Sequence, residues 1–111
     1  MIMLKENEEI ILTGQEAIKI LSEVEYILIS LRNISRYYYN KPNEKISDGD
    51  KLKYHQETSD FIDDNKVTHR LASIRKIISE KFNSELGDDD MDDIEREIEK
   101  LEYWTKPKIS S

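Results

Sequence analysis

The sequence predicts an all-α protein, a small antiparallel bundle of about four helices. Apolar side chains recur at alternating steps of three and four residues in several stretches, which is the spacing of a helix that buries one face. Glycine and proline number only 3 and 2 in 111 residues, too few turn-formers for a many-stranded sandwich or barrel. The length fits a single helical domain, residues 1–111.

The composition indicates a highly charged coat around a thin aliphatic core. Charged residues make up 37% of the chain, against about 25% in an average protein. The chain has no cysteine, which excludes disulfide scaffolds, thiolate zinc sites and cysteine nucleophiles. The start of the chain lacks the features of a signal peptide, and the longest wholly apolar runs, among them 26–29, have four residues, far fewer than the roughly 20 residues of a bilayer span. We therefore expect a cytoplasmic protein without membrane contact.

The first helix is predicted from its start signal and its apolar face. Residues 1–12 are expected to form an N-terminal arm, in which 10–12 is compatible with a strand, a helix end or a packed segment. Thr13 and Glu16 have the spacing of a capping box, so a helix is predicted from 15 to about 38. The positions expected to face the core are Ala17, Ile20, Val24, Ile27, Leu31 and Ile34, with Ile18, Leu21 and Leu28 broadening that face.

A loop over 40–50 is predicted from its proline, asparagine, serine and glycine residues. A second helix is expected over 51–62, capped by Asp48 or Asp50. Its apolar pattern allows either of two packing sides: Leu52, His55, Ser59 and Ile62, or Tyr54, Thr58 and Phe61. The sequence at 63–65 is typical of a break, although a continuous helix through it stays open.

Two more helices complete the expected bundle. Apolar residues from Val67 to Phe82 predict a third helix, and Gly87 is expected to close it as a left-handed C-cap. The three aspartates 88–90 are suited to a helix N-terminus, so a fourth helix is predicted from there to near Trp104. Tyr103 and Trp104 are expected to close the end of the bundle.

The negative charge is concentrated in one short stretch, residues 88–102, which we call the acidic segment. It carries nine acids and two bases, whereas residues 1–87 carry 15 acids and 13 bases. A concentrated negative field attracts basic protein surfaces and repels nucleic acid and anionic lipid. We therefore expect a basic protein as partner and no direct contact with nucleic acid.

The candidate partner-binding residues are the acids of this segment and a tyrosine run. In a helix of 3.6 residues per turn, Asp92, Glu95, Glu99 and Glu102 would share one side. The alternative is a cluster that only caps and solvates the helix. Tyrosine is favoured at interfaces, and three adjacent tyrosines cannot all face one core. The candidates are Asp88, Asp89, Asp90, Asp92, Asp93, Glu95, Glu99, Glu102, Tyr37, Tyr38 and Tyr39.

The sequence indicates no catalytic, cofactor or metal site. Asp89, Asp90 and Asp93 match the DDxxD spacing of some magnesium enzymes, but the chain lacks a second acidic motif and a basic pocket for phosphates. His55 and His69 do not have zinc spacing, and no serine lies in a nucleophile elbow. We predict a protein that is not an enzyme.

The C-terminal third resembles the tail of bacterial immunity proteins, which protect cells from toxins of contact-dependent growth inhibition and from related bacteriocins. The similar stretches are 77–82, 91–97 and Tyr103-Trp104. The resemblance implies a cytoplasmic inhibitor that binds a cognate toxin domain, often a basic nuclease acting on tRNA, and occludes its active site or substrate groove. It does not indicate which toxin.

Two other functions fit the same residues. One is a phage-type nucleic-acid mimic that inhibits a nuclease. The other is a helical regulatory or assembly subunit, which predicts stable self-association. The neighbouring gene distinguishes the nucleic-acid mimic from an immunity protein, because an immunity gene directly follows its toxin gene.

Overall fold

The computed structural model describes residues 2–39 and 45–108, and these residues are all-α, as predicted. They form four α-helices and no strand: α1 (Gly14–Tyr39), α2 (Asp48–Asp64), α3 (Val67–Ser79) and α4 (Asp93–Ile98). A short 3-10 helix, Lys5–Asn7, precedes them. The chain divides into two compact units, a central unit, Leu12–Ile78, and a terminal unit, Met1–Ile11 with Ser79–Ser111. The prediction of one domain stays a prediction.

The start of α1 confirms the predicted capping box. Thr13 Oγ1 accepts a hydrogen bond from the Glu16 amide at 3.1 Å, and Glu16 Oε1 accepts one from the Thr13 amide at 2.9 Å. Both bonds satisfy amides that a helix start leaves without a partner. The helix then runs to Tyr39, close to the predicted end.

The second helix is longer than predicted and begins earlier. Ser47, rather than Asp48 or Asp50, is the N-cap, and its hydroxyl accepts from the Asp50 amide at 3.1 Å. Residues 48–50 are therefore helical and not part of the predicted loop, while 40–44 lie outside the described residues. The predicted break is confirmed as a turn at Asn65–Lys66, where Lys66 adopts a left-handed φ of 51°.

The ends of the last two helices differ from the prediction. α3 stops at Ser79, and Gly87 is not a left-handed C-cap, because no described glycine has a positive φ. α4 spans only Asp93–Ile98 and neither begins at 88–90 nor reaches Trp104. Glutamates 97, 99 and 102 would crowd the negative end of the helix dipole. The chain instead closes with a tight turn, in which the Leu101 amide bonds to the Ile98 carbonyl at 3.0 Å.

The central unit packs α1 antiparallel to α2. Tyr38, near the end of α1, donates its hydroxyl to Glu57 at 2.7 Å, whereas Tyr26, in the middle of α1, donates to Asn65 at the end of α2 at 2.9 Å. The ring of Tyr26 also packs on Phe61, with centroids 5.8 Å apart. The packing side of α2 is thus the one that contains Tyr54 and Phe61.

Arg70 attaches α3 to this pair of helices. Its Nε donates to the Asn65 carbonyl at 2.9 Å, and its Nη1 donates to Glu23 at 3.0 Å. Its guanidinium also lies over the Tyr26 ring, 4.4 Å from the centroid. An arginine that combines an ion pair, a carbonyl bond and an aromatic face is held in one geometry.

Many of the apolar side chains predicted for the core are exposed to solvent. Tyr38 and Val67 are the only buried apolar side chains of the described residues. On α1, Ile20, Ile27, Leu31 and Ile34 are half-buried, but Val24 and the three positions that broaden the stripe, Ile18, Leu21 and Leu28, are exposed. None of the helices that the structure describes is long and apolar enough to cross a membrane.

Candidate functional site

The acidic segment begins with a tight turn ahead of α4. The Asp90 amide bonds to the Gly87 carbonyl at 3.1 Å, and the Gly87 amide bonds to the Met91 carbonyl at 2.9 Å. Asp90 has a φ of 62°, a left-handed conformation that aspartate tolerates better than most residues. Asp89 Oδ1 accepts from the Met91 amide at 3.2 Å, which fixes the turn from within.

Asp92 and Glu95 form a capping box at the start of α4. The Glu95 amide donates to Asp92 Oδ1 at 2.8 Å, and the Asp92 amide donates to Glu95 Oε1 at 3.4 Å. These two carboxylates therefore have a structural role, as the capping alternative predicts. The expected helical row of four acids is wrong, because Glu99 is the C-cap of α4 and Glu102 lies beyond the helix.

Arg96 is the cation that organises this segment. Its Nε and Nη2 donate to both oxygens of Asp89, at 2.6 and 3.0 Å, and its Nη1 donates to Asp93 Oδ1 at 2.8 Å. Its Nη2 also donates to the Met91 carbonyl at 3.1 Å. These hydrogen bonds hold the pKa of the Asp89 carboxyl well below its usual value, and they raise the pKa of Arg96 above its usual value.

Asp93 is buried, so the prediction that it forms part of an exposed surface is wrong. Its Oδ2 accepts from Asn7 Nδ2 at 2.7 Å and from the Leu4 amide at 2.9 Å. These bonds, with that to Arg96, lower the pKa of Asp93, and the Asn7 bond is the largest cause. Asn7 is also buried and bonds both backbone groups of Asn83, at 2.7 and 3.0 Å. The predicted arm is thus a packed part of the terminal unit.

The remaining acids of the segment lie at the surface. Glu97 is exposed and pairs with exposed Lys100 at 3.1 Å. Four exposed carboxylates have no side-chain partner in the part of the chain that the structure describes, and we call them the free carboxylates: Asp88, Asp90, Glu99 and Glu102. The net charge of the segment does not change when its own arginine and lysine pair with some of its acids. The concentrated negative field therefore persists.

The aromatic residues after the acidic segment are exposed, so the prediction that they close the bundle end is wrong. Trp104 is 81% exposed, and Leu101 and Tyr103 are exposed beside it. All three lie in a stretch without helix, directly after the turn that ends α4. Exposed tryptophan and tyrosine are the side chains that most often anchor protein interfaces. No signal in the sequence distinguished Tyr103 and Trp104 as surface residues, because the last helix was predicted to reach Trp104.

The tyrosine run separates into one structural and two surface residues. Tyr38 is 5% exposed, and its bond to Glu57 raises the pKa of its hydroxyl to about 12. It therefore does not qualify as a contact residue. Tyr37 is 75% exposed and packs edge-on against Tyr38, and Tyr39 is half-exposed and packs edge-on against Tyr54 at 5.0 Å between centroids. These residues belong to the central unit.

The histidines and acids of the described residues form no candidate metal centre. His55 and His69 are both exposed, and His55 lies against the Tyr54 ring at 5.4 Å. Across residues 2–39 and 45–108, no three side chains of the metal-binding types converge on one point. Asp89 and Asp93, two members of the DDxxD spacing, instead share Arg96.

Comparison of the chain with protein-family models, with curated proteins and with solved structures finds no match.

Proposed function

We propose that this protein is a binding protein without catalytic activity, whose acidic segment binds a basic protein surface. The observation that carries the proposal is the net charge of −7 within residues 88–102. Like charges this close repel one another and weaken the fold. A cationic partner relieves that repulsion, so binding and the unusual charge distribution have one explanation.

The geometry of the terminal unit supports a contact that combines charged side chains with an aromatic anchor. The free carboxylates supply attraction at long range, which raises the rate of association with a basic surface. Trp104, beside them in sequence and 81% exposed, supplies the apolar area that slows dissociation. Asp89, Asp93 and Arg96 hold the turn and α4 in shape, so they act as positioning residues rather than contacts.

We further propose, from the resemblance of the C-terminal third, that the partner is a nuclease toxin domain and that this chain is its immunity protein in the cytoplasm. A nuclease binds nucleic-acid phosphates with basic side chains, so its substrate groove has the charge that the acidic segment attracts. An inhibitor in that groove excludes the substrate by occupying the place of the phosphate backbone.

The test uses the protein encoded directly upstream of this chain. Co-expression of this chain is expected to restore the growth of cells that the upstream protein inhibits. The purified pair is expected to bind with an association rate that falls steeply with salt. The variant Asp88→Asn/Asp90→Asn/Glu99→Gln/Glu102→Gln removes the free carboxylates and keeps their size. It is expected to associate on the order of tenfold more slowly at low salt.

The matched control removes four exposed carboxylates elsewhere in the same unit: Glu6→Gln, Glu8→Gln, Glu9→Gln and Glu85→Gln. Both variants have the same net charge, so a specific contact slows only the first. Equal slowing of both variants would mean that total charge, and not the acidic segment, governs association. Full protection without any binding would refute the proposal.

A further inference from the structure

An apolar row runs along α1 without cover. It consists of five side chains, each between 39% and 64% exposed, which we call the α1 stripe: Ile18, Leu21, Val24, Leu28 and Tyr39. At 3.6 residues per turn these positions fall within about a third of the circumference of the helix. The first four members therefore form one apolar surface about 15 Å long, and Tyr39 lies on the same side of α1 about 16 Å further along, beyond Arg32 and Ser35.

This surface lies on a chain that buries little else. Among the described residues, Tyr38 and Val67 are the only buried apolar side chains, and neither is completely enclosed. Small domains depend on burial of apolar surface to offset the conformational entropy of folding. An exposed apolar row on the longest helix is therefore a surface whose burial by another molecule would stabilise the fold.

Two opposite charges lie within the same third of the helix circumference as the stripe. Glu25 and Arg32 are exposed and are seven residues apart, about 10 Å along α1, which is too far for a direct pair within one helix. Neither side chain forms an ion pair or a hydrogen bond with another residue that the structure describes. A partner that covers the stripe thus meets one negative and one positive group at this spacing.

We propose that the occupant of the α1 stripe is a second copy of this chain, with its own α1 packed antiparallel. Reversal of the helix direction places Glu25 opposite Arg32 of the second copy, and the symmetry of the pair forms the same contact twice. The same register places Leu28 at the centre and Ile18 opposite Tyr39 of the second copy. Parallel packing would instead oppose like charges. The opposite charges therefore favour the antiparallel arrangement.

The proposal goes beyond toxin binding and rests on different residues, none of them in the acidic segment. Toxin binding and self-association are therefore measured separately, and either result stands without the other. Self-association through α1 is also the property expected of an assembly subunit.

A charge-exchange experiment tests the arrangement directly, by sedimentation over about 10 to 500 µM protein. Glu25→Arg and Arg32→Glu each oppose like charges in the antiparallel pair, so each variant alone is expected to dimerise at least tenfold more weakly than the native chain. An equal mixture of the two variants is expected to dimerise as strongly as the native chain, because each variant then faces the opposite charge on the other. These substitutions change only exposed polar side chains, so folding is retained.

A second pair of variants tests the apolar part of the contact. Leu21→Glu/Leu28→Glu places two charges in the stripe and is expected to be monomeric. Ser22→Glu/Asn33→Glu adds the same charge at exposed polar positions on another side of α1 and is expected to dimerise. The proposal is overturned if the native chain is monomeric throughout, if the mixture does not recover the dimer, or if the control loses it as fully as the stripe variant.

Discussion

Asn7 and Asp93, 86 residues apart in sequence, are joined by a buried hydrogen bond of 2.7 Å between Nδ2 and Oδ2. Asn7 uses its remaining hydrogen-bonding groups on the backbone of Asn83, so one side chain connects three segments of the terminal unit. Both side chains are buried, and a buried polar group without a partner destabilises a fold. The stability of this unit therefore depends on a polar cluster rather than on an apolar core.

Asn7→Ala is expected to destabilise the terminal unit by about 1–3 kcal/mol, because it leaves buried groups of Asp93 and Asn83 without their partner. Asn83→Ala is the matched control. Asn7 bonds only the backbone of Asn83, and the Asn83 side chain makes only a surface bond to the Glu85 amide. Amide hydrogen exchange measures the effect. A loss of protection in the control equal to that in Asn7→Ala would contradict this account.

The stability of the terminal unit is expected to fall in acid. The pKa values of Asp89 and Asp93 are held below their usual value in the folded chain. Their stabilising contribution is present above about pH 4, the ordinary pKa of an aspartate, and is lost as the pH falls below that value. Urea denaturation from pH 7 to pH 2 measures the loss. Asp93→Asn is expected to reduce this pH dependence. If the stability of the variant depends on pH as that of the native chain does, Asp93 does not contribute to the loss in acid.

Arg96→Met is expected to destabilise the acidic segment far more than Lys100→Met, although both variants lose one positive charge. Arg96 bonds Asp89, Asp93 and the Met91 carbonyl, whereas Lys100 makes one exposed pair with Glu97. Exposed pairs contribute at most about 1 kcal/mol. Thermal unfolding of the two variants is the measurement, and equal effects would indicate that charge alone, rather than hydrogen-bond geometry, stabilises the segment.

Lys66→Gly is expected to stabilise the turn between α2 and α3 by up to about 1 kcal/mol, because glycine adopts a left-handed φ without the Cβ clash. Asp90→Gly serves as comparison, since aspartate tolerates this conformation and the gain should be smaller. Lys66→Val is expected to destabilise. Denaturant midpoints of the three variants give the order, and a reversed order would refute the role of backbone strain.

Trp104 is the only tryptophan of the chain, so tryptophan fluorescence reports on the surroundings of this one side chain. Its 81% exposure predicts emission typical of a tryptophan in water. Addition of the protein encoded upstream is expected to shift this emission to shorter wavelength, and Trp104→Ala is expected to dissociate from that protein at least tenfold faster. Trp104→Phe, which keeps an aromatic ring, should recover part of the loss. Binding without any spectral shift would place Trp104 outside the contact.

Local patterns predicted the position of α1 and of the turn after α2 well. The capping box of Thr13 and Glu16, the length of α1 and the break near Asn65 all follow from residues close together in the chain. The side of α2 that packs was left open by its weak pattern. Contacts between residues on different helices, such as that of Tyr26 with Phe61, decide it.

The terminal unit was predicted less well, because its structure depends on partners distant in sequence. The fourth helix was predicted to extend from 88–90 to near Trp104, but the chain turns after Ile98. Nothing near Asp93 in sequence shows that Asn7 will bury it. The acidic character of the segment was visible from composition, whereas the separation of its acids into structural and surface groups was not.

The contacts of Arg96 have a consequence for the thermodynamics of recognition. A flexible anionic tail loses much conformational freedom when it is captured, and this loss weakens the complex. Here the Arg96 guanidinium, together with the capping box of Asp92 and Glu95, holds residues 89–96 in one conformation, and this stretch contains Asp90, one of the free carboxylates. For the proposed basic partner, the entropy of ordering this part of the acidic segment is therefore lost during folding rather than on binding.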